Sequence, residues 1–151
     1  MMQEVKKTLP VDIAVCAAAV SDFKPKNENK NKIKKKTNTL ENISLKKNPD
    51  ILEFISKNNK YRPKIVVGFS AETEKLIENS LEKIKQKYCD LIVANDVSKK
   101  ETGFNTDYNK VSIIDKKGNI DSILKNKKSF IADKIVKKII DNLFLNDKNI
   151  N

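Results

Sequence analysis

The sequence lacks histidine and tryptophan, and it contains only two cysteines and three glycines. Without histidine it cannot build a Ser-His or Cys-His nucleophile pair, a histidine metal ligand or a histidine general base. Cys16 and Cys89 both lie within apolar segments and form no C-x-x-C motif, so we expect neither a disulfide framework nor a zinc site. Any chemistry must therefore depend on Lys, Asp, Glu, Asn and backbone groups.

Long hydrophobic runs are also missing. No apolar run approaches the roughly 20 residues that span a bilayer, and the N-terminus lacks the apolar stretch of a signal peptide, so we expect a cytoplasmic protein without a membrane partner. Hydrophobic residues make up 38% of the 151 residues and gather in dense blocks such as residues 65–69. A chain of this length can bury one core, which predicts a single folded domain.

Arginine is nearly absent, although the chain is basic. Lys and Arg together number 31 against 20 Asp and Glu, giving a net charge of +11, and Arg62 is the only arginine. A nucleic-acid-binding module would more often use arginine for base contacts and aromatic rings for stacking. The lysine excess accompanies many asparagines and isoleucines, which indicates coding bias. We therefore expect no nucleic-acid partner, and binding through the lysines stays an alternative.

Three apolar segments predict strands that are buried on both faces, because they show no alternation with polar residues. They are residues 11–20 (VDIAVCAAAV), 64–69 (KIVVGF) and 90–95 (DLIVAN). Helical patterns separate the second strand from its neighbours. The alternation of strands and helices predicts an α/β layered fold with a mostly parallel sheet.

The first of these helices is predicted to start at Asn48-Pro49-Asp50, with Asn48 as the cap and Pro49 at the first helical position. The second has an apolar stripe at helical spacing, formed by Leu76, Ile77, Leu81 and Ile84. Before them, residues 21–39 are polar and predict a loop that runs into a short strand around Ile33.

After Asp96 the pattern changes to a hairpin and a helix. KVSIID and IDSIL flank Gly118-Asn119, a pair that can adopt positive φ and so indicates a β-hairpin. A closing helix is predicted from about residue 129 to residue 145, and residues 146–151 are expected to fray. Its apolar face is predicted to consist of Phe130, Ile131, Ile135, Val136, Ile139, Ile140 and Leu143.

Polar residues follow each predicted parallel strand: Ser21-Asp22, then residues 70–72, then Asn95-Asp96. Ligands bind beyond the carboxyl ends of strands in an open parallel sheet. The four lysines among residues 32–36 and the predicted helix start at residues 49–52 indicate an anion site. A triphosphate is the expected ligand, because one lysine would not hold it and a cluster could.

Each of these residues also has a purely structural interpretation. The lysines at 32–36 could be a solvated loop, and Lys83 and Lys87 could simply complement a helix C-terminus. Asp22 could form a turn, Asn95 could cap a loop, and Phe69 could belong to the core.

Six segments occur in the order and approximate spacing of the bacterial phosphopantothenate-cysteine ligase family. They are AAAVSDFKPKN (17–27), KIKK (32–35), NPDIL (48–52), VGFSAET (67–73), DLIVANDVS (90–98) and GFNTDYN (103–109). The chain thus resembles the phosphopantothenoylcysteine synthetase portion of the bifunctional coenzyme A biosynthesis flavoprotein. The resemblance implies a Rossmann-like fold in which residues 1–145 are the C-terminal part of the ligase domain.

The resemblance also implies the reaction and its ligands. The carboxylate of 4′-phosphopantothenate would attack the α-phosphate of CTP, release pyrophosphate and form an acyl-cytidylate, from which the amine of cysteine would displace CMP. CTP and Mg²⁺ are the expected substrate nucleotide and metal ion. Family members are dimeric, so the resemblance implies a homodimer.

The family's functional residues carry over to matching positions of this sequence. Lys32 opens the K-x-K-K element and is the implied catalytic residue, and Asp22 is the implied metal ligand. Lys34, Lys35, Asn95 and Asp96 are expected to support the site. The implied nucleotide-binding residues are Cys16, Ala17, Ala18, Asp22, Lys32, Pro49, Asp50, Ile51, Leu52, Phe69, Lys83 and Lys87.

The sequence departs from the family in two respects. Ser70 stands where the family usually has alanine, which we expect to be tolerated. The Gly-rich strand-turn-helix half that precedes residues 11–20 in the family is absent, as is the flavin-dependent decarboxylase domain before it. We therefore expect an incomplete active site in the isolated chain, which could be a split subunit completed by a separate chain, a partial gene product or an excerpt of a longer chain. The alternative is a noncatalytic remnant, or a dimerisation or nucleotide-binding subunit of a split enzyme.

Overall fold

The strands that the structure describes form a five-stranded and a two-stranded sheet. In the computed structural model, which describes residues 1–28, 42–98 and 106–147, a five-stranded sheet has the order β1-β4-β5-β6-β7 and a two-stranded sheet pairs β2 with β3. The elements are α1 (Met2–Thr8), β1 (Ile13–Cys16), β2 (Phe23–Pro25), β3 (Leu45–Lys47), α2 (Ile51–Ser56), β4 (Ile65–Glu72), α3 (Leu76–Lys87), β5 (Leu91–Asp96), β6 (Tyr108–Asp115), β7 (Ile120–Lys127) and α4 (Lys128–Asp147).

The chain forms two compact units where its length predicts one. The main unit comprises Met1–Ala17 and Ile51–Asn151, and the small unit comprises Ala18–Asp50. Every residue of β2 and β3, the strands of the small unit, is exposed to solvent. Among the described residues of the small unit, no strand is therefore buried.

The five-stranded sheet confirms the predicted α/β fold. β1, β4 and β5 run parallel, and β6 and β7 pair antiparallel with their neighbours. The predicted hairpin joins β6 to β7, and of the predicted Gly-Asn pair only Gly118 has a positive φ, of 87°. Asp115 closes the turn, because its Oδ1 accepts hydrogen bonds from the backbone N–H groups of Lys117 (2.9 Å) and Asn119 (3.0 Å).

Apolar side chains cover both faces of the sheet at its central strands β4, β5 and β6. On one face, strands β4, β5 and β6 pack against α4; on the other, they pack against α2 and α3. The first cluster, which we call the α4-side core, consists of Ile65, Val67, Leu91, Val93, Val111, Ile113, Ile131, Ile135 and Ile139. The second, the α3-side core, consists of Ile55, Val66, Ile84, Cys89, Ile92, Ala94 and Ile114, with the predicted stripe of α3 packed against it.

The prediction for α4 is correct in part. Ile131, Ile135 and Ile139 face the sheet and are buried, but Phe130, Val136 and Ile140 are 41%, 54% and 43% exposed. Residues four apart lie on one face of a helix, so the sheet covers this single row and leaves the neighbouring row in solvent. The predicted seven-residue face is therefore too wide, and the helix runs to Asp147, two residues beyond its predicted end.

The prediction that the first strand is buried on both faces is wrong. β1 is shorter than residues 11–20 and lies at an edge of the five-stranded sheet. Ala14 and Cys16 pack against the α3-side core, whereas Ile13 and Val15 are 38% and 49% exposed. The described residues place no helix over that second face at β1, which leaves alternate side chains uncovered.

The start of the first predicted helix also differs. α2 begins at Ile51, so Asn48 is not its cap and Pro49 is not its first residue. The side-chain amide of Asn48 instead donates to the carbonyl of Ser21 (2.8 Å). Helix α1 and strands β2 and β3 are not predicted from the sequence, because elements of three to seven residues show too little periodicity. The predicted short strand around Ile33 lies outside the described residues.

The length and hydropathy of the helices test the expectation that the chain has no membrane-spanning segment. Among the residues that the structure describes, no helix is both long enough and apolar enough to span a bilayer.

Candidate functional site

The carboxyl ends of β4 and β5 are level, but β1 stops earlier. Glu72 pairs with Asp96 at the ends of β4 and β5, whereas Cys16, the last residue of β1, pairs with Gly68. The predicted strand-end residues of the main unit therefore lie at two levels along the sheet. Cys16 is half-buried and Ala17 is exposed, so the end of β1 is open to solvent.

Gly68 brings the start of α2 close to the sheet. A Cβ placed on Gly68 would lie 2.6 Å from Cδ2 of Leu52 and 2.8 Å from Cδ1 of Ile92. Only a residue without a side chain permits this close approach without displacement of its neighbours. As a result, Leu52 of α2 and Cys16 of β1, two predicted nucleotide-binding residues, both adjoin Gly68.

The side chain of Phe69 lies on the opposite face of the sheet from other predicted nucleotide-binding residues. Its side chain packs against the α4-side core, while Cys16, Ile51 and Leu52 pack against the α3-side core. Its carbonyl oxygen accepts a hydrogen bond from Nζ of Lys83 at 3.1 Å. The structure thus connects Phe69 to Lys83 through the backbone and places its ring across the sheet from Leu52.

Lys87 is held by a carboxylate that the sequence analysis did not identify. Nζ of Lys87 lies 3.3 Å from Oε2 of Glu53, and Oε1 of Glu53 lies 2.6 Å from Nζ of Lys57. The hydrogen bond from Lys57, followed by that from Lys87, lowers the pKa of the Glu53 carboxyl. The i, i+4 spacing of Glu53 and Lys57 is a signal that could have identified the Glu53–Lys57 pair.

A second network lies at the end of β4. Ser70 donates from Oγ to Oε1 of Glu72 (2.7 Å), and the side-chain amide of Asn79 donates to Oε2 (3.2 Å). Ser70, the family departure, is buried and fixes this carboxylate. Glu72 and Asn79 were not predicted as site residues, since their seven-residue separation crosses a strand end and a turn.

The supporting residues on β5 have different surroundings. Asp96 Oδ1 accepts hydrogen bonds from the backbone N–H (3.0 Å) and Oγ (2.6 Å) of Ser98, which forms a tight turn after the strand. Oδ1 of Asn95 is buried and has no hydrogen-bond partner among the described residues. A carbonyl oxygen that is removed from water ordinarily accepts a hydrogen bond. Oδ1 of Asn95 is therefore an unused acceptor among the described residues.

The small unit contains the remaining described residues of the predicted site. Ala18, Asp22 and Pro49 are exposed and Asp50 is half-buried. The carbonyl of Asp22 accepts the backbone N–H of Asn48 at 2.8 Å, which joins the beginning and end of the β2–β3 hairpin. Lys32, Lys34 and Lys35 lie outside the described residues.

The residues available for Mg²⁺ are few. In residues 1–28, 42–98 and 106–147, no group of three or more Asp, Glu, Cys or His side chains could hold a metal ion. A magnesium ion in a nucleotide site usually has one or two protein carboxylates and completes its shell with phosphate oxygens and water. An exposed carboxylate such as that of Asp22 is compatible with this limited protein contribution.

Comparisons with known proteins identify close relatives. The family described as the DNA/pantothenate metabolism flavoprotein C-terminal domain matches residues 1–143. The coenzyme A biosynthesis bifunctional protein CoaBC of Borreliella burgdorferi is 42% identical over 127 residues, covering 83% of this chain and 31% of that protein. A cysteine/cysteine sulfinic acid decarboxylase from an unknown prokaryotic organism is 37% identical over 129 residues, covering 85% and 35%.

A solved structure supports the fold. The crystal structure of the C-terminal domain of a coenzyme A biosynthesis bifunctional protein CoaBC has a TM-score of 0.71 and 26% identity to this chain. The similarity covers 97% of this chain and 61% of the solved chain. The chain spans about a third of the length of the curated relatives it matches.

Proposed function

The chain belongs to the family of DNA/pantothenate metabolism flavoprotein C-terminal domains, and on that premise we propose that it acts in coenzyme A biosynthesis as part of a phosphopantothenate-cysteine ligase. The observation that carries the proposal is the extent of the family match. Residues 1–143 include every position predicted to bind nucleotide. Relatives named as coenzyme A biosynthesis bifunctional proteins support the same assignment.

The proposed reaction has two steps. The carboxylate of 4′-phosphopantothenate attacks the α-phosphorus of CTP, the bond to pyrophosphate breaks, and an acyl-cytidylate forms. The amine of cysteine then attacks the acyl carbon, CMP leaves, and the nitrogen loses a proton to give the amide. Both steps develop negative charge on phosphate oxygens, so cationic groups that lie close to these oxygens lower the barrier.

The chain supplies this chemistry through charge and positioning. Lys32 neutralises the α-phosphate and the acyl-cytidylate, and Lys83 and Lys87 add positive charge for the polyphosphate. Leu52, held against Gly68, positions the start of α2 beside Cys16. Asp22 is the residue that would hold Mg²⁺, and the ion, when bound, would offset charge on the triphosphate. None of these roles needs histidine.

We propose that the rest of the ligase domain, whether it lies on the same polypeptide or on another, adjoins β1. This strand has an unpaired edge among the described residues, and its Ile13 and Val15 side chains are 38% and 49% exposed. An open edge with apolar side chains favours the addition of another strand. The solved relative has a further 39% of its chain outside the region of similarity, since this chain covers 61% of it.

The enzyme is also proposed to be a homodimer. The exposed strands of the small unit support this proposal, since Phe23 is 48% and Leu45 is 58% exposed. An isolated two-stranded hairpin is marginally stable in water, so burial of these side chains against another surface would stabilise it. Sedimentation equilibrium of the chain, alone and with a polypeptide that carries the rest of the ligase domain, gives its oligomeric state directly.

The second candidate function is a noncatalytic nucleotide-binding or dimerisation subunit. The edge of β1, open among the described residues, favours it, because an exposed strand edge can pair with another chain without any catalysis. The two candidates predict different results when the rest of the ligase domain is supplied. Only a catalytic chain produces CMP under those conditions.

The deciding experiment measures CMP release from CTP, 4′-phosphopantothenate and cysteine. The chain is assayed alone and after mixing with a polypeptide that carries the Gly-rich half of the domain. We expect release only in the mixture, and its loss with Lys32→Gln, while the circular dichroism spectrum of that variant stays unchanged. No release in the mixture, with binding of CTP retained, would favour the noncatalytic subunit.

A further inference from the structure

Lys83 and Lys87, two of the three lysines of α3, are held by acceptors of different kinds. Lys83 donates to the main-chain carbonyl of Phe69, which β4 fixes in place and which carries no net charge. Lys87 pairs with the carboxylate of Glu53, a charged and movable side chain. A phosphate could therefore replace the partner of Lys87 much more easily than that of Lys83.

Glu53 does not depend on Lys87 alone. Its Oε1 lies 2.6 Å from Nζ of Lys57, shorter than the 3.3 Å between Oε2 and Lys87. The side chains of Lys87, Glu53 and Lys57 are 24%, 39% and 44% exposed, so water reaches all three. If Lys87 moves to another anion, Glu53 keeps a cationic partner, and the exchange leaves no buried charge unpaired.

We infer that Glu53 is a resident anion that occupies Lys87 until a polyphosphate replaces it, and that it thereby lowers the affinity of the chain for polyphosphates. This inference rests on the proposed function, which assigns Lys87 to the polyphosphate of the nucleotide. Glu53 is a residue that acts through Lys87. Its negative charge both competes for the ammonium group and repels the incoming phosphates.

The inference predicts a gain of binding, which is a result that loss of structure does not produce. Glu53→Gln removes the charge and keeps the size of the side chain, so polyphosphate should bind about two- to fivefold more tightly, the range expected for one solvent-exposed ion pair. In a Lys87→Gln background the same change should give no gain, because the competing ammonium group is already absent.

The matched control is Glu78→Gln. Glu78 also carries a negative charge, pairs with Lys75 at 3.8 Å and is 73% exposed on α3. Glu78→Gln removes the same charge from the chain as Glu53→Gln, but at a position that does not contact Lys87. Affinity is measured by isothermal titration calorimetry with inorganic tripolyphosphate at low ionic strength, and thermal unfolding of each variant checks its fold.

The results distinguish the inference from the proposed function. Tighter binding with Glu53→Gln, no change with Glu78→Gln and no gain in the Lys87→Gln background would support the inference. Binding by the wild-type chain that Glu53→Gln leaves equal or weakens, or that both glutamate variants strengthen equally, would overturn the inference alone. No binding by any variant would overturn it and also count against nucleotide binding in the proposed function.

Discussion

The main unit and the small unit place predicted binding residues in opposite surroundings. In the main unit, β4 and β5 contain side chains that are 0–1% exposed, and both faces of these strands are covered. In the small unit, no residue of β2 or β3 is buried. The difference indicates that the main unit supplies the stability of the fold, whereas polar groups of the small unit such as Asp22 lie in solvent at little cost to a core.

The largest expected effect on the free energy of unfolding comes from replacing a buried leucine by alanine, compared with the same replacement at an exposed leucine of the small unit. Leu91 is fully buried in the α4-side core, so Leu91→Ala should lower the free energy of unfolding by about 2–5 kcal/mol. Leu45→Ala, at a 58% exposed position, should change it by about 0.5 kcal/mol or less. Urea unfolding followed by circular dichroism measures both. Equal losses would contradict the division of stability between the units.

The same contrast can be tested with charged groups. Asp90 is 5% exposed, and its Oδ2 accepts from Nη2 of Arg62 (2.9 Å) and from the backbone N–H of Val66 (2.8 Å). Asp90→Ala leaves both donors without this acceptor, so it should cost about 3 kcal/mol of unfolding free energy. Lys116→Gln is the control, because Lys116 is 56% exposed and lies 3.4 Å from Asp90.

The control should cost about 1 kcal/mol or less in the same urea titrations, since an exposed ion pair contributes little. A loss with Asp90→Ala no greater than with Lys116→Gln would show that the Arg62 contact does not stabilise the main unit.

The close approach at Gly68 tests the link between the core and the candidate site. Gly68→Ala adds a methyl group where Leu52 and Ile92 already lie, and it should cost about 1–3 kcal/mol. Ile92→Val removes the Cδ1 atom that would lie 2.8 Å away. The double variant should therefore lose less unfolding free energy than the sum of the two single losses. Strict additivity would indicate that Ile92 does not crowd position 68.

The parts of the fold that could be predicted are those with a long local signal. β4, β5, the stripe of α3 and the hairpin at Gly118 follow from apolar runs, helical spacing and turn residues. The exposure of Ile13 and Val15 could not be predicted, because a run of apolar residues does not show whether the strand lies in the middle of a sheet or at its edge.

The candidate site could be predicted only at the level of single residues. The sequence indicates Lys83 and Lys87 as candidates, but their partners come from β4 and α2, which only the tertiary fold brings near. Gly68 carried a usable signal, since an isolated glycine within an apolar strand indicates close approach of other atoms. Asn48 was misassigned because its amide bonds to Ser21, a contact over 27 residues of sequence.

The smallest expected effect concerns a polar side chain that contributes to the stability of the main unit. Burial acts to raise the pKa of Asp115, but hydrogen bonds from Asn119 and Lys117 outweigh it and lower that pKa below its ordinary value. A carboxyl with a lowered pKa in the folded state stabilises the fold above the pKa of the unfolded chain, about 3.9, and loses this contribution as the pH falls through the folded pKa.

Asp115→Asn should therefore unfold at lower urea concentration than the wild type at pH 7, and the gap should narrow below about pH 4 as the wild-type carboxyl takes up its proton. Asn119→Ala removes the donor 2.8 Å from Asp115 Oδ2 and should show part of the same pH dependence. Urea midpoints measured between pH 7 and pH 3 test this expectation. A gap that stays constant across the range would show that ionisation of the Asp115 carboxyl does not contribute to the stability of the main unit.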